Sequence, residues 1–414
     1  MKILYLTWGE TPRTSGAYGS QALNQFKANI ALTGATGKFV AAVPLIHSGH
    51  VRERGQYTHE LKNVRERLAN IEYEQIPIYC AQPLIFPNRW TFKFNHIGAN
   101  LRLRQLVDRF DPDVIHCRSY HATFAALRLR EATSARYRIL FDARGLWIDE
   151  LALRKGWESS SRNYRFFRAL ESYLLGAADA VVAVSEGMKE YFISQAARRV
   201  ETIYLSAPVR LLSSAAVRTE TYVERVSVVY LGTLDSNSWH PPDELRRLIE
   251  YLLKLGLKID LKIITMSDHA ALEPIFKPLG LGSFRVVRTH SAKELAAELR
   301  EADFGVLSYF RPTGVLEHRL SSVVMAIKTA EYLGAGVPIL VNKHCGGAAG
   351  IVREHRVGLA YDPESFSELT RDAVISLLEP GVRRRAIDVA FAKFDIGSNA
   401  QRYASLYSSL AAPN

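Results

Sequence analysis

The stretch IKTAEYLGAGVPIL, residues 327–340, decides how this chain is read. Its first half has the spacing of a short helix. A Gly-Ala-Gly turn follows at 334–336, then Pro338 within the apolar run Val337 to Val341. A glycine C-cap leading into a continuous apolar run predicts a helix that delivers a buried strand. Lys328 and Glu331 stand three residues apart and so share one helix face. The helix falls between the apolar runs FGVLSYF (304–310) and VPILV (337–341), which places its start at the carboxyl ends of strands. There a lysine neutralises phosphate and a carboxylate accepts from ribose hydroxyls, the two demands of a nucleoside diphosphate. The alternative is an intrahelical ion pair, which stabilises a surface helix very little.

Outward from this stretch the same alternation of short apolar runs and amphipathic segments fills the chain. In the first half, strands are predicted at KILYLTW, FVAAVPLI, DVIHC, YRILFDA and AVVAVS. Helices fit residues 20–32 and 162–176. In the second half, strands fit VSVVYLG, IDLKIIT, SFRVVRT, FGVLSY and VPILV, with helices at 243–256 and 292–302. Strand–helix alternation predicts parallel sheets covered on both faces. The fold class is therefore α/β, with two Rossmann-like doubly wound domains whose ligands bind at the strand carboxyl ends, facing a cleft. The pattern breaks over 206–226, so the domains are expected at 1–210 and 222–389. Two further helices follow in the last stretch, over 382–410.

Composition agrees with a globular protein of two domains. The chain has 414 residues, 48% of them hydrophobic and 23% charged. Cys80, Cys117 and Cys345 lie far apart and form no metal-ligand spacing, which fits a reducing cytoplasm. No apolar run approaches a membrane span. The net charge of +11 is unevenly placed: residues 1–200 hold 28 Lys+Arg against 18 Asp+Glu, hence +10. A solvated basic face, an anionic membrane surface or an anionic acceptor would each account for it. Nucleic acid is disfavoured, because no zinc finger, RNA-recognition signature or basic zipper is visible.

Three further segments bear chemistry. TSGAYGSQALNQF (14–26) places Gly16 and Gly19 between the first strand and a helix, where backbone approaches a ligand and free N–H groups favour phosphate. It is neither a GxGxxG nor a P-loop, and a plain tight turn explains it equally well. VSVVYLGTLD (226–235) repeats that logic with Gly232 and Thr233. LFDARGLWIDE (140–150) ends a strand with Asp142 and Arg144 beside a glycine; the alternative there is an internal salt bridge that shapes the loop. Asp149 and Glu150 follow at a helix start, where carboxylates suit the dipole.

The ordered set resembles the family 4 glycosyltransferases of GT-B fold. AIKTAEYLGAGVPIL is similar to the family's P-x-K-x-x-E-Y-x-A-x-G-x-P-V-(L/I), with Ala326 in the proline position. NKHCGGAAGIVREHRVGLAYDPES, GAADAVVAVSEGMKEYF and YLGTL resemble further segments of it. FDARGLWIDE is similar to the D-x-R-G-x-W-x-D-E of a branch associated with bacterial surface polysaccharides. The resemblance spans most of the chain. It implies a retaining, metal-independent glycosyltransferase that moves a sugar from a UDP- or GDP-sugar to a glycan or lipid-linked acceptor, with no cofactor. The acceptor would sit on the first domain and the donor mainly on the second, with the helices of 390–414 crossing back to the first.

By the resemblance Glu331 takes the ribose hydroxyls, Lys328 lies near the diphosphate, and the backbone at Gly16 and Gly19 helps bind phosphate. Arg144 stands where the family often has a histidine, and Arg144 and Asp142 are the expected catalytic residues. The departures are Val323 in place of the first glutamate of E-x7-E, and Thr233 where an arginine is frequent, with no lysine following at Asn237 or Ser238. Glu317, Ser321 and Ser322 are the replacements suggested by position. Other readings are a catalytically weak or inactive nucleotide-binding partner and a nucleotide-sugar 2-epimerase. A cytoplasmic location is expected. The aromatic and basic stretch 85–110 would make any peripheral contact with the inner membrane face, although an ordinary helix with a basic face explains it too.

Overall fold

The computed structural model describes residues 1–14, 16–46, 54–81, 89–94, 96, 99–214, 225–235 and 239–412. Parts of the 206–226 break and of the 85–110 stretch, together with Asn237 and Ser238, lie outside the described residues. The chain divides into two compact units. One comprises Met1–Tyr204 with Asn399–Asn414, the other Leu205–Ser398.

The first unit is built on a seven-stranded sheet: β1 (Lys2–Trp8), β2 (Thr36–Ile46), β3 (Glu72–Ala81), β4 (Val114–Arg118), β5 (Arg138–Asp142), β6 (Ala180–Ala183) and β7 (Val200–Thr202), in the order β3-β2-β1-β4-β5-β6-β7. Every pairing is parallel. β1 and β4 are buried on both faces, as their largely apolar character favours. Ile3, Tyr5, Phe26, Phe39 and Leu140 share a core with Tyr403, Leu406, Tyr407 and Leu410. Those last four belong to the closing helix, Ile396–Ala411.

The second unit repeats the plan with six parallel strands: β8 (Arg225–Leu231), β9 (Lys258–Ile264), β10 (Ser283–Val287), β11 (Phe304–Leu307), β12 (Ile339–Asn342) and β13 (Gly358–Tyr361), in the order β10-β9-β8-β11-β12-β13. The helix Pro242–Lys254 lays Leu245, Leu248, Ile249 and Leu252 onto this sheet. The stretch 327–340 becomes the helix Ile327–Gly334, stopped at Gly336 (φ +68°), and then β12.

Three strands are not evident in the sequence: β3, β7 and β13. Each is the edge of a sheet or next to none beyond it. An edge strand need not be apolar throughout and tolerates proline, as β3 does at Pro77. The unit boundary also falls before the expected break. The short helix Val209–Ser213 buries Val209 and Leu212, and Leu212 packs against Gly334 of the second unit. At the other end, the helix Pro380–Lys393 packs beside Gly336 through Ile387, so the second unit extends to Ser398.

Candidate functional site

In each unit the strand order reverses between the first strand and the fourth, and the carboxyl ends of those strands form the natural binding edge.

In the first unit, β1 leads to a loop pinned by Glu60, whose Oε2 accepts from Thr14 N (3.0 Å) and Oγ1 (3.1 Å); Arg67 donates to the Thr14 carbonyl at 2.8 Å. The chain then winds into one rod from Gly16 to Thr33, with π-type turns over Gly19–Asn24. A Cβ on Gly19 would stand 1.9 Å from the Thr14 carbonyl oxygen, so only glycine permits this close return of the loop. Gly16 is exposed at the start of the rod, with φ +62°.

Asp142, the last residue of β5, is 1% exposed and is the centre of a polar network. Burial alone would raise its pKa, but Arg144, His116 and Arg118 outweigh burial and hold it down at about 2. It is therefore an ionised, purely accepting group. Arg144 Nη1 lies 3.3 Å from both of its oxygens, His116 Nε2 3.3 Å from Oδ2, and Tyr403 donates to Oδ2 at 3.4 Å. Arg144 has φ +63°, an uncommon backbone state for a side chain of its size. Its second anchor is Gln21 of the rod, whose Oε1 accepts from Nη2 at 2.8 Å. The loop-shaping ion pair is thus present, and it ties Arg144 to the segment that carries Gly19.

His116 is kept neutral: burial lowers its pKa more than Asp142 raises it. Neighbouring carboxylates are also engaged. Glu10 receives Arg118 Nε at 2.8 Å, and Asp149 and Glu171 share Arg168 at 3.8 and 2.5 Å. Glu150 differs. Among the described residues no hydrogen bond or ion pair holds its side chain, which rests against Gly145; burial pushes its pKa up to about 7.

In the second unit, Gly232 follows β8 with φ +127°. A Cβ there would stand 2.5 Å from Lys328 Cε, so the lysine side chain crosses the space only a glycine leaves open. Lys328 makes no ion pair among the described residues. Glu331, one turn on, is half-buried with no side-chain hydrogen bond among them, and burial raises its pKa against the pull of Lys328. The lysine and the glutamate are therefore not spent on each other. His240 joins them: its Nδ1 donates to the Ser308 carbonyl at 3.0 Å, and burial with nearby Lys328 lowers its pKa to about 3. The neutral ring keeps Nε2 as an acceptor.

The remaining expected residues have local partners. Thr233 is exposed, and its carbonyl accepts from Tyr230. Glu317 Oε2 closes the start of helix Val315–Val323, accepting from Thr313 N (2.6 Å), Thr313 Oγ1 (2.8 Å) and Gly314 N (3.0 Å). Ser321 and Ser322 donate back to His318 and Arg319 of the same helix. Val323 is buried, 5% exposed.

Sequence reasoning missed His116, Tyr403, Tyr407, Gln21 and His240. Only His116 left a signal, as a polar residue inside the apolar run DVIHC.

Residues 52–207 match the family model of the glycosyl transferase 4-like domain. Solved structures share the fold over nearly the whole chain. A sucrose-phosphate synthase from Thermosynechococcus elongatus is 16% identical, covers 99% of this chain and 98% of its own, and has a TM-score of 0.65. A glycosyltransferase from Rickettsia africae is 14% identical, with coverage of 100% and 99% and a TM-score of 0.68. A lipopolysaccharide outer core galactosyltransferase, WaaB, is 12% identical, with coverage of 99% and 100% and a TM-score of 0.65. No curated protein matches the sequence.

Proposed function

We propose, for a chain whose residues 52–207 form a glycosyl transferase 4-like domain within a two-Rossmann GT-B fold, that it is a retaining glycosyltransferase of surface polysaccharide or glycolipid assembly. The observation that carries this reading is the pair Lys328 and Glu331: both stand by the switch point of the second sheet, and neither neutralises the other. A nucleoside diphosphate sugar satisfies both. Its diphosphate meets the Lys328 ammonium, and its ribose hydroxyls donate to Glu331.

The reaction breaks the bond from the anomeric carbon to the diphosphate oxygen and forms one to an acceptor oxygen on the same face. The acceptor proton passes to the departing phosphate. Lys328 offsets the charge that develops there, so no metal ion is required of this arrangement. In the first unit, Arg144, held by Asp142 and Gln21, is the residue assigned to catalysis. The likeness to a lipopolysaccharide galactosyltransferase supports the class of acceptor.

A thermal-shift screen of UDP-, GDP-, ADP- and TDP-sugars tests this, with and without EDTA, on wild type and Glu331→Ala. A bound ligand raises the melting temperature by mass action. One nucleotide is expected to shift wild type, to ignore EDTA, and to lose most of its effect on Glu331→Ala. Equal shifts in both proteins would remove Glu331 from the donor site. Nucleotide binding without turnover over an acceptor panel would favour the inactive partner protein.

A further inference from the structure

The closing helix Ile396–Ala411 reaches Asp142 by two routes, and every group on both routes is buried. Tyr403 donates to Oδ2 directly, at 3.4 Å. Tyr407 acts through the imidazole: its hydroxyl is 2.6 Å from His116 Nδ1, and His116 Nε2 is 3.3 Å from Asp142 Oδ2. Behind Tyr407, Asn29 Nδ2 donates to its hydroxyl at 3.1 Å, and Gln25 Nε2 donates to Asn29 Oδ1 at 2.8 Å.

The direction of every bond in this chain follows from one fact. An ionised Asp142 can only accept, so the proton between it and His116 belongs to Nε2. In a neutral ring Nδ1 is then an acceptor, so the proton between it and Tyr407 belongs to the phenol. The phenol oxygen in turn accepts from Asn29. No donor faces a donor, and the imidazole has one tautomer that fits. The rod Gly16–Thr33 supplies both ends: Gln25 and Asn29 start the chain, and Gln21 receives Arg144.

We infer that Tyr407, acting through His116, and Tyr403, acting directly, are positioning residues that fix the Asp142 carboxylate and thereby present Arg144. This rests on the reading of Asp142 and Arg144 as part of the transfer site. Neither tyrosine touches substrate. Each sets the place of a group that does, and each lies more than 250 residues downstream of it in the chain.

The test uses full-length wild type, Tyr407→Phe, His116→Gln and His116→Leu, with the donor named by the thermal-shift screen. Phenylalanine keeps the ring packing and removes only the hydroxyl. Glutamine offers an amide N–H to Asp142 and a carbonyl to Tyr407, so it reproduces both bonds of the imidazole; leucine reproduces neither. Expected are a kcat for Tyr407→Phe at least tenfold below wild type with donor KM within twofold, a similar loss for His116→Leu, and His116→Gln within threefold of wild type. Long-range nitrogen–proton NMR should show the His116 proton on Nε2 in wild type and in Tyr407→Phe alike, because Asp142 sets it; a wild-type proton on Nδ1 would overturn the inference. If kcat is unchanged in Tyr407→Phe, or if glutamine rescues no better than leucine, the inference is overturned while the function stands. If wild type turns over no donor, both are overturned.

Discussion

Glu150 shows how one side chain's surroundings set a measurable behaviour. An unfolded chain releases this proton near 4.5, and the folded chain holds it to about 7 because burial disfavours the charge. The fold therefore loses stability as pH rises through that interval, and the full cost is present above 7. Glu150→Gln removes it. The variant should unfold later than wild type at pH 8, by on the order of 2 kcal/mol once partial exposure is allowed for, and should gain nothing at pH 4. Chemical denaturation at the two pH values measures this, and a variant less stable than wild type at pH 8 would contradict the burial argument. Lys328 and Glu331 were legible at this scale because helical spacing alone puts them on one face. Tyr403 and Tyr407 were not: their partners are Asp142 and His116, and nothing local to residues 396–411 marks them.

Elements follow a different logic. The inner strands were legible because a strand buried on both faces is mostly apolar, as β1, β4 and β8 are. The edges β3, β7 and β13 carry no such demand, and their sequences hid them. A helix was foreseen after β1, but neither its π-type turns nor the close return of Thr14 onto Gly19 leaves a mark in the local sequence pattern. The turn after β8 yields the sharpest prediction. Gly232→Ala adds a methyl where Lys328 Cε lies and forces a side chain into φ +127°. Stability should fall by about 1–3 kcal/mol. Nucleotide affinity should fall with it, because Lys328 must leave its path. A variant that melts and binds like wild type would show that the lysine does not run over the glycine.

On the scale of the molecule, charge and chain path matter more than any single contact. Residues 1–200 carry +10 of the net +11. In the first unit Trp90 is 59% exposed, with Arg89 over its ring at 5.1 Å, and Leu101 is 70% exposed, followed by Arg102, which pairs with Glu74, and Arg104, which pairs with Asp108. We propose that the basic excess of residues 1–200, with these exposed apolar side chains, meets anionic lipid. Co-sedimentation should show binding to phosphatidylglycerol vesicles at low salt, weakening as salt is added; no binding at low salt would end the proposal. The two-unit plan was legible from the strand–helix alternation, whereas the exact division was not, because it depends on where Leu212 and Ile387 pack. The path of the chain has one more result. The second unit is a single unbroken stretch, but the first is finished only by residues 399–414. On a ribosome, chains commonly fold from the amino end forward. Here the sheet made first must wait, with the surface that Tyr403, Leu406, Tyr407 and Leu410 will cover still bare. The unit begun first is thus completed only after the whole of the second has been synthesised.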